Sequence, residues 1–170
     1  MVLCRTILKK RKRLLKPNKL KSSAKKRPGR DAYYVAVDLL SWREHSRVEL
    51  IAKLAKKEFT QEQIACAFEK LLKHGLQSDQ RYLEDFVRSR LFKGSGPLKI
   101  AYELRTRGID AVTLQDYLNS QQIDWFELAA ATYEKKYQSN DEIDARERAK
   151  RVRFMQSRGF PSDIIFRLFK

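Results

Sequence analysis

Two cysteines, two histidines, four prolines and six glycines are all that the 170 residues offer of the types that staple, ligate or interrupt a chain. Cys4 and Cys66 cannot make a disulfide framework, and neither His45 nor His74 has a Cys or an acidic pair at ligand spacing. No metal, no cofactor and a reducing, cytoplasmic compartment are therefore expected. Long apolar runs are missing too. Stretches such as Ile164-Ile165-Phe166 fall far short of the roughly 18 residues of a membrane span, so no membrane partner is expected. Lys9 to Arg13 interrupts the start of the chain where a secretory signal needs a continuous apolar core.

Acidic residues are missing from one segment only. Residues 1–30 hold 13 Lys/Arg and no Asp or Glu, together with Pro17, Pro28 and Gly29. From totals of 37 basic and 21 acidic residues, 24 and 21 remain for residues 31–170, so most of the formal charge of +16 belongs to the first thirty residues. Such a segment repels itself and buries little apolar surface, which predicts a basic disordered arm over 1–30. The arm reads as a non-specific binder of polyanions, a solvated tail, or residues upstream of the true start codon; its Arg-rich, acid-free composition also resembles an organelle transit peptide, which nothing else in the sequence supports.

What remains is helical throughout. Apolar residues recur at a period of 3.6 and no strand-like alternation is found. Tyr33, Ala36, Val37 and Leu40 share one face of a first helix. Ser46 with Glu49, Thr60 with Gln63, and Ser139 with Glu142 read as capping boxes, Asp110 as a single cap, and Pro97 as a first helical residue. The helices fall into three groups that superimpose at offsets of 50 and 51 residues, read off the numbering. Leu54, Leu104 and Met155 make one column, Phe59, Ile109 and Phe160 the next, then Ile64, Leu114 and Ile165, and finally Phe68, Leu118 and Phe169. Glu58, Gly108 and Gly159 occupy the turn, where a left-handed residue is least costly as glycine, so the first turn is expected to be strained or differently built. The expected fold is all-α: three tandem three-helix, helix-turn-helix-like repeats in an elongated, curved array, over 31–77, 78–121 and 122–170.

Gly94-Ser95-Gly96-Pro97 follows no strand and lacks the Lys of a phosphate-binding loop, so it is expected to be a flexible connection into a proline-started helix. Both histidines are expected in surface or turn positions, and Cys66 as a small, partly buried thiol. Carboxylates lie scattered among lysines rather than paired on apolar faces, which argues against an enzyme. A sequence-specific DNA reader is disfavoured as well. Each helix after a turn opens without Lys or Arg, as in Asp110-Ala111-Val112-Thr113, whereas base reading needs such side chains at that end. Basic residues sit instead on the preceding elements, where they would meet phosphate. The candidate contacts are Arg88, Arg90, Lys93, Lys99, Arg105 and Arg107 in the second repeat, with Arg151, Arg153 and Arg158 in the third. Solvated faces with internal pairs such as Glu147 with Arg151 are the bland counterpart. Stacked repeats of this kind suit binding to another macromolecule along a long face.

Residues 38 to 50, Asp-Leu-Leu-Ser-Trp-Arg-Glu-His-Ser-Arg-Val-Glu-Leu, resemble the first-repeat signature of the bacterial RecX regulators. Asp79, Arg81-Tyr82, Phe86-Val87, Arg88-Ser89-Arg90, Gly94-x-Gly96-Pro97, Ile100, Glu103-Leu104 and Arg107-Gly108-Ile109 resemble the second, and Arg158-Gly159-Phe160 the start of the third turn. Gln77-Ser78 stand where the family usually has Leu-Asp, and Glu58 where glycine is usual. The resemblance implies a cytoplasmic, monomeric regulator that lodges in the groove of the RecA filament on single-stranded DNA. It also implies that the protein blocks filament extension or promotes disassembly, lowering ATP hydrolysis, strand exchange and co-protease activity. Contacts with single- and double-stranded DNA would be weak and non-specific. The competing reading, from net charge alone, is an independent non-sequence-specific DNA-binding protein.

Overall fold

The structure, a computed structural model, describes residues 31–137 and 144–169. The basic arm over 1–30 and the cap expected from Ser139 with Glu142 lie outside the described residues. Nine helices and no strand are found among the described residues: α1 (Ala32–Trp42), α2 (Arg47–Ala55), α3 (Gln61–Lys73), α4 (Asp79–Phe92), α5 (Pro97–Arg105), α6 (Ala111–Ser120), α7 (Trp125–Lys136), α8 (Ala145–Ser157) and α9 (Ser162–Leu168). None of them is long and apolar enough to cross a membrane.

The helix starts follow the sequence with two changes. Thr60 and Gln63 close both halves of their box at 3.3 and 2.9 Å, Pro97 is the first residue of α5, and Asp110 accepts the Thr113 N–H at 2.8 Å. Ser46 accepts the Glu49 N–H at 3.1 Å, but the Glu49 carboxylate turns to Arg43 and Lys53 instead of returning to the cap. The cap of α8 is Asp144, which accepts the Glu147 N–H at 2.6 Å.

Each repeat has its own core, and the columns of the sequence alignment are the columns of those cores. Leu54, Leu104 and Met155 are fully buried, and Ile64, Leu114 and Ile165 pack beside them. The three turns close alike: the N–H of Phe59, Ile109 and Phe160 returns to the carbonyl of Leu54, Leu104 and Met155 at 3.4, 3.1 and 3.3 Å. At the residue before, φ is +67° for Glu58, +80° for Gly108 and +85° for Gly159. The first turn is therefore strained but not differently built. Glu58→Gly is expected to stabilise the chain by about 0.5–1 kcal/mol, because relief of ~1–2 kcal/mol of left-handed strain exceeds the added chain entropy of glycine. A urea midpoint that falls on this substitution would contradict the account.

The repeats join by one rule. The N-terminal turn of each second helix docks on the left-handed turn of the next repeat. Val48 of α2 lies against Gly108, and the start of α5 lies against Gly159, where an added Cβ would stand 2.9 Å from the Lys99 Cα. The Gly96 N–H donates to the Arg158 carbonyl at 2.8 Å and the Leu98 N–H to the Gly159 carbonyl at 3.1 Å. The segment Gly94 to Gly96 is buried, so the expected flexible connection is instead a pinned junction. Trp125 packs on the cores of both the second and the third repeat. Among the described residues no other repeat docks on the Glu58 turn, whereas Val48 and Lys99 crowd the other two, which explains why a side chain fits there and not at Gly108 or Gly159.

The joint between the first two repeats is polar. Asp79 accepts the Arg47 N–H and a Gln77 amide N–H, each at 2.8 Å, and Arg81 Nε donates to Glu44 at 3.1 Å. Gln77 is buried between Asp79 and the His45 carbonyl, and Ser78 caps α4, so the Gln-Ser pair bridges the joint and caps the helix.

Candidate functional site

The nine candidate cations do not form one face. Arg90 and Arg107 both lie over the Phe86 ring, their guanidinium carbons 4.6 and 5.0 Å from its centroid. Glu103 ties the pair together, its carboxylate 2.6 Å from Arg90 Nε and its carbonyl accepting from Arg107 at 2.6 Å. This clamp fixes the end of α5 to α4. Arg151, expected on an open basic helix, is buried: it donates to Glu147 at 3.1 Å and to the Tyr133 hydroxyl at 2.8 Å, and its guanidinium lies 4.6 Å from the Tyr137 ring centre. Those bonds from Arg151, then Lys150, hold the Glu147 carboxyl below its ordinary pKa.

Lys99 and Arg158 belong to the joint between the second and third repeats. Lys99 reaches the Ser157 carbonyl at 3.4 Å, and Arg158 donates to the Lys93 carbonyl at 3.0 Å while covering the Phe154 ring. Arg88 is exposed and paired with Asp85 at 3.1 Å. Lys93, Arg105 and Arg153 are exposed, with no ion pair to a described residue. The cations available to a partner are thus Arg88, Lys93, Arg105 and Arg153. Helix position in the sequence could not separate these from the clamped ones.

Cys66 differs from its expected partly buried placement, while His45 keeps its expected turn position and is buried there. Cys66 is exposed, because it lies on α3 away from the face of Ile64 and Phe68. His45 is in a turn but fully buried. Its Nδ1 lies 3.0 Å from the Arg43 carbonyl, which only accepts, so Nδ1 carries the proton and Nε2 accepts from Lys53 at 2.8 Å. Burial pushes the His45 pKa down, and the Arg43 and Lys53 charges push the same way. The unfolded chain then binds a proton near the free imidazole value of about 6.5 that the folded chain refuses. Stability should be complete above that pH and fall as pH drops through it towards the folded value. Melting temperatures between pH 7.5 and 5.5 check this, and His45→Gln should flatten the slope in that window.

Sequence reasoning passed over two exposed aromatics. Trp42 and Phe92 end α1 and α4 with 87% and 90% of their surface open to solvent. The repeat alignment held the signal, since the two positions are fifty residues apart and each precedes a cation, Arg43 or Lys93.

Comparison with known proteins matches all three units in order. The first, second and third three-helix domains of RecX match residues 32–71, 78–118 and 122–169. A regulatory protein RecX of Ectopseudomonas mendocina is 44% identical over 135 residues, covering 79% of this chain and 90% of that protein. One from Legionella pneumophila is 37% identical over 139 residues, covering 82% and 93%. The crystal structure of RecX from Lactobacillus salivarius superimposes with a TM-score of 0.66 at 26% identity, covering 81% of this chain and 92% of that one.

Proposed function

The chain belongs to the RecX family, and from that premise we propose that it regulates the RecA recombinase by binding RecA and its filament on single-stranded DNA. It inhibits RecA's ATP hydrolysis, strand exchange and co-protease activity by blocking filament extension or promoting disassembly. It acts as a cytoplasmic monomer and by binding, not by catalysis of its own. The observation that carries this reading is the ordered match of all three RecX domains across residues 32–169. Arg88, Lys93, Arg105 and Arg153 supply the charged contacts, whereas Arg90, Arg107 and Arg151 hold the repeats in shape. The reading as an independent DNA-binding protein rests on net charge, most of which lies in the arm over residues 1–30, and the match to RecX domains gives it no support.

The test is RecA ATPase on single-stranded DNA. Substoichiometric protein should lower the rate, and an unchanged rate at equimolar protein would remove the proposal. Residues 31–170 alone should cosediment with RecA filaments, since the matched domains lie within them.

A further inference from the structure

A cleft of about 340 Å³ opens where the second and third repeats meet, between the end of α4, α7 and α8. Lys93, Lys135, Lys136 and Arg158 line it, and no carboxylate does among the described residues. Lys93, Lys135 and Lys136 are exposed and in no ion pair with a described residue. Arg158 is already oriented by its bond to the Lys93 carbonyl at 3.0 Å and by the Phe154 ring 5.2 Å from its guanidinium carbon. Phe92 stands at the lip, 90% exposed, so its ring packs on little of the fold.

An open aromatic face beside uncompensated cations matches a polymer with planar groups on an anionic backbone. A base can stack on either face of a free ring, whatever its identity, while lysines take the flanking phosphates. The open aromatic is repeated: Trp42 occupies the position of Phe92 in the first repeat and is equally open, although the cation that follows it, Arg43, is paired with Glu49. Two consecutive repeats thus leave an aromatic uncovered at the same place, which a stray surface side chain does not explain.

We propose that this cleft binds single-stranded nucleic acid. A base stacks on Phe92, phosphates lie on Lys93, Lys135 and Lys136, and Trp42 is a second stacking platform on the first repeat. Duplex offers the same phosphates but no free base face, so the stacking contribution selects single strands. The site deepens the proposed function and rests on it in one respect, that a regulator of filaments on single-stranded DNA meets that polymer.

The experiment titrates the full-length protein against fluorescent oligothymidine, an abasic strand of equal length, and duplex. Phe92→Ala and Trp42→Ala should each weaken oligothymidine binding by about tenfold and leave abasic and duplex binding unchanged. Lys135→Ala with Lys136→Ala should weaken all three and reduce the salt dependence on single strands by about 1.4 in log–log slope. Circular dichroism should stay as in the wild type, because both rings lie outside the core. Binding of Phe92→Ala or Trp42→Ala to oligothymidine within about twofold of wild type overturns the site, as does an equal loss on the abasic strand. Phe92-dependent capture of a polyglutamate peptide that oligothymidine does not displace also overturns it, assigning the cleft to a protein partner. Assaying RecA ATPase with the same wild-type protein separates the two ideas. Absence of inhibition there removes the proposed function and leaves the oligothymidine result standing.

Discussion

Gly96→Ala should destabilise the chain by about 3 kcal/mol, although the backbone at Gly96 suits alanine. Its φ of −80° and ψ of 170° lie in the ordinary extended region, so no strain arises from the residue itself. The obstacle is the neighbouring repeat: an added Cβ would stand 2.5 Å from the Gly159 carbonyl carbon and 2.6 Å from the Phe160 nitrogen. Both are backbone atoms of a turn fixed by its own hydrogen bond, and no rotamer change can withdraw them. The repeats must separate, losing the Gly96 and Leu98 hydrogen bonds that hold the third repeat on the second. Gly75→Ala is the control, because φ there is +61° and nothing lies within 4 Å of the new Cβ, leaving only left-handed strain of about 1 kcal/mol. Urea unfolding should place the two variants well apart, and amide exchange in Gly96→Ala should rise in α8 and α9 before α1 to α3. If Gly96→Ala unfolds within about 0.5 kcal/mol of wild type, close approach does not hold this joint.

These glycines mark where the sequence was legible and where it was not. A helix period, a cap and a left-handed turn are local events, so the helices, the Thr60 and Asp110 caps and the aligned core columns could be read from spacing alone. The same spacing gave Gly108 and Gly159 only a conformational reason. Their second reason, the approach of Val48 and of the start of α5, involves residues about sixty positions away. The burial of His45 between Lys53 and the Arg43 carbonyl, and of Arg151 among two tyrosines, was illegible for the same cause. A titratable side chain is exposed or buried according to partners that local sequence does not name. Helix periodicity placed six of the basic candidates correctly on helices, yet it could not tell a solvated cation from one holding an aromatic ring.

That difference fixes how charge reversals should behave. Arg105→Glu combined with Arg153→Glu should reduce inhibition of RecA ATPase by about tenfold and leave the melting temperature unchanged, since both side chains are exposed and in no ion pair with a described residue. Arg107→Glu should act differently. It removes one half of the clamp on Phe86 and the bond to the Glu103 carbonyl, and it sets a new carboxylate near that of Glu103. The loss is about 2–3 kcal/mol, enough to lower the melting temperature by about 5 °C or more. Any fall in inhibition then follows from the distorted second repeat, and lower temperature should partly restore it. Lys70→Glu with Lys73→Glu, on the last turn of α3 in the first repeat, supplies the comparison for general charge. If that pair abolishes inhibition as fully as the Arg105 and Arg153 pair, net charge acts and the exposed cations of the second and third repeats have no special part. If Arg107→Glu melts as the wild type does, the guanidinium is free for a partner and the clamp is not what fixes α5 against α4.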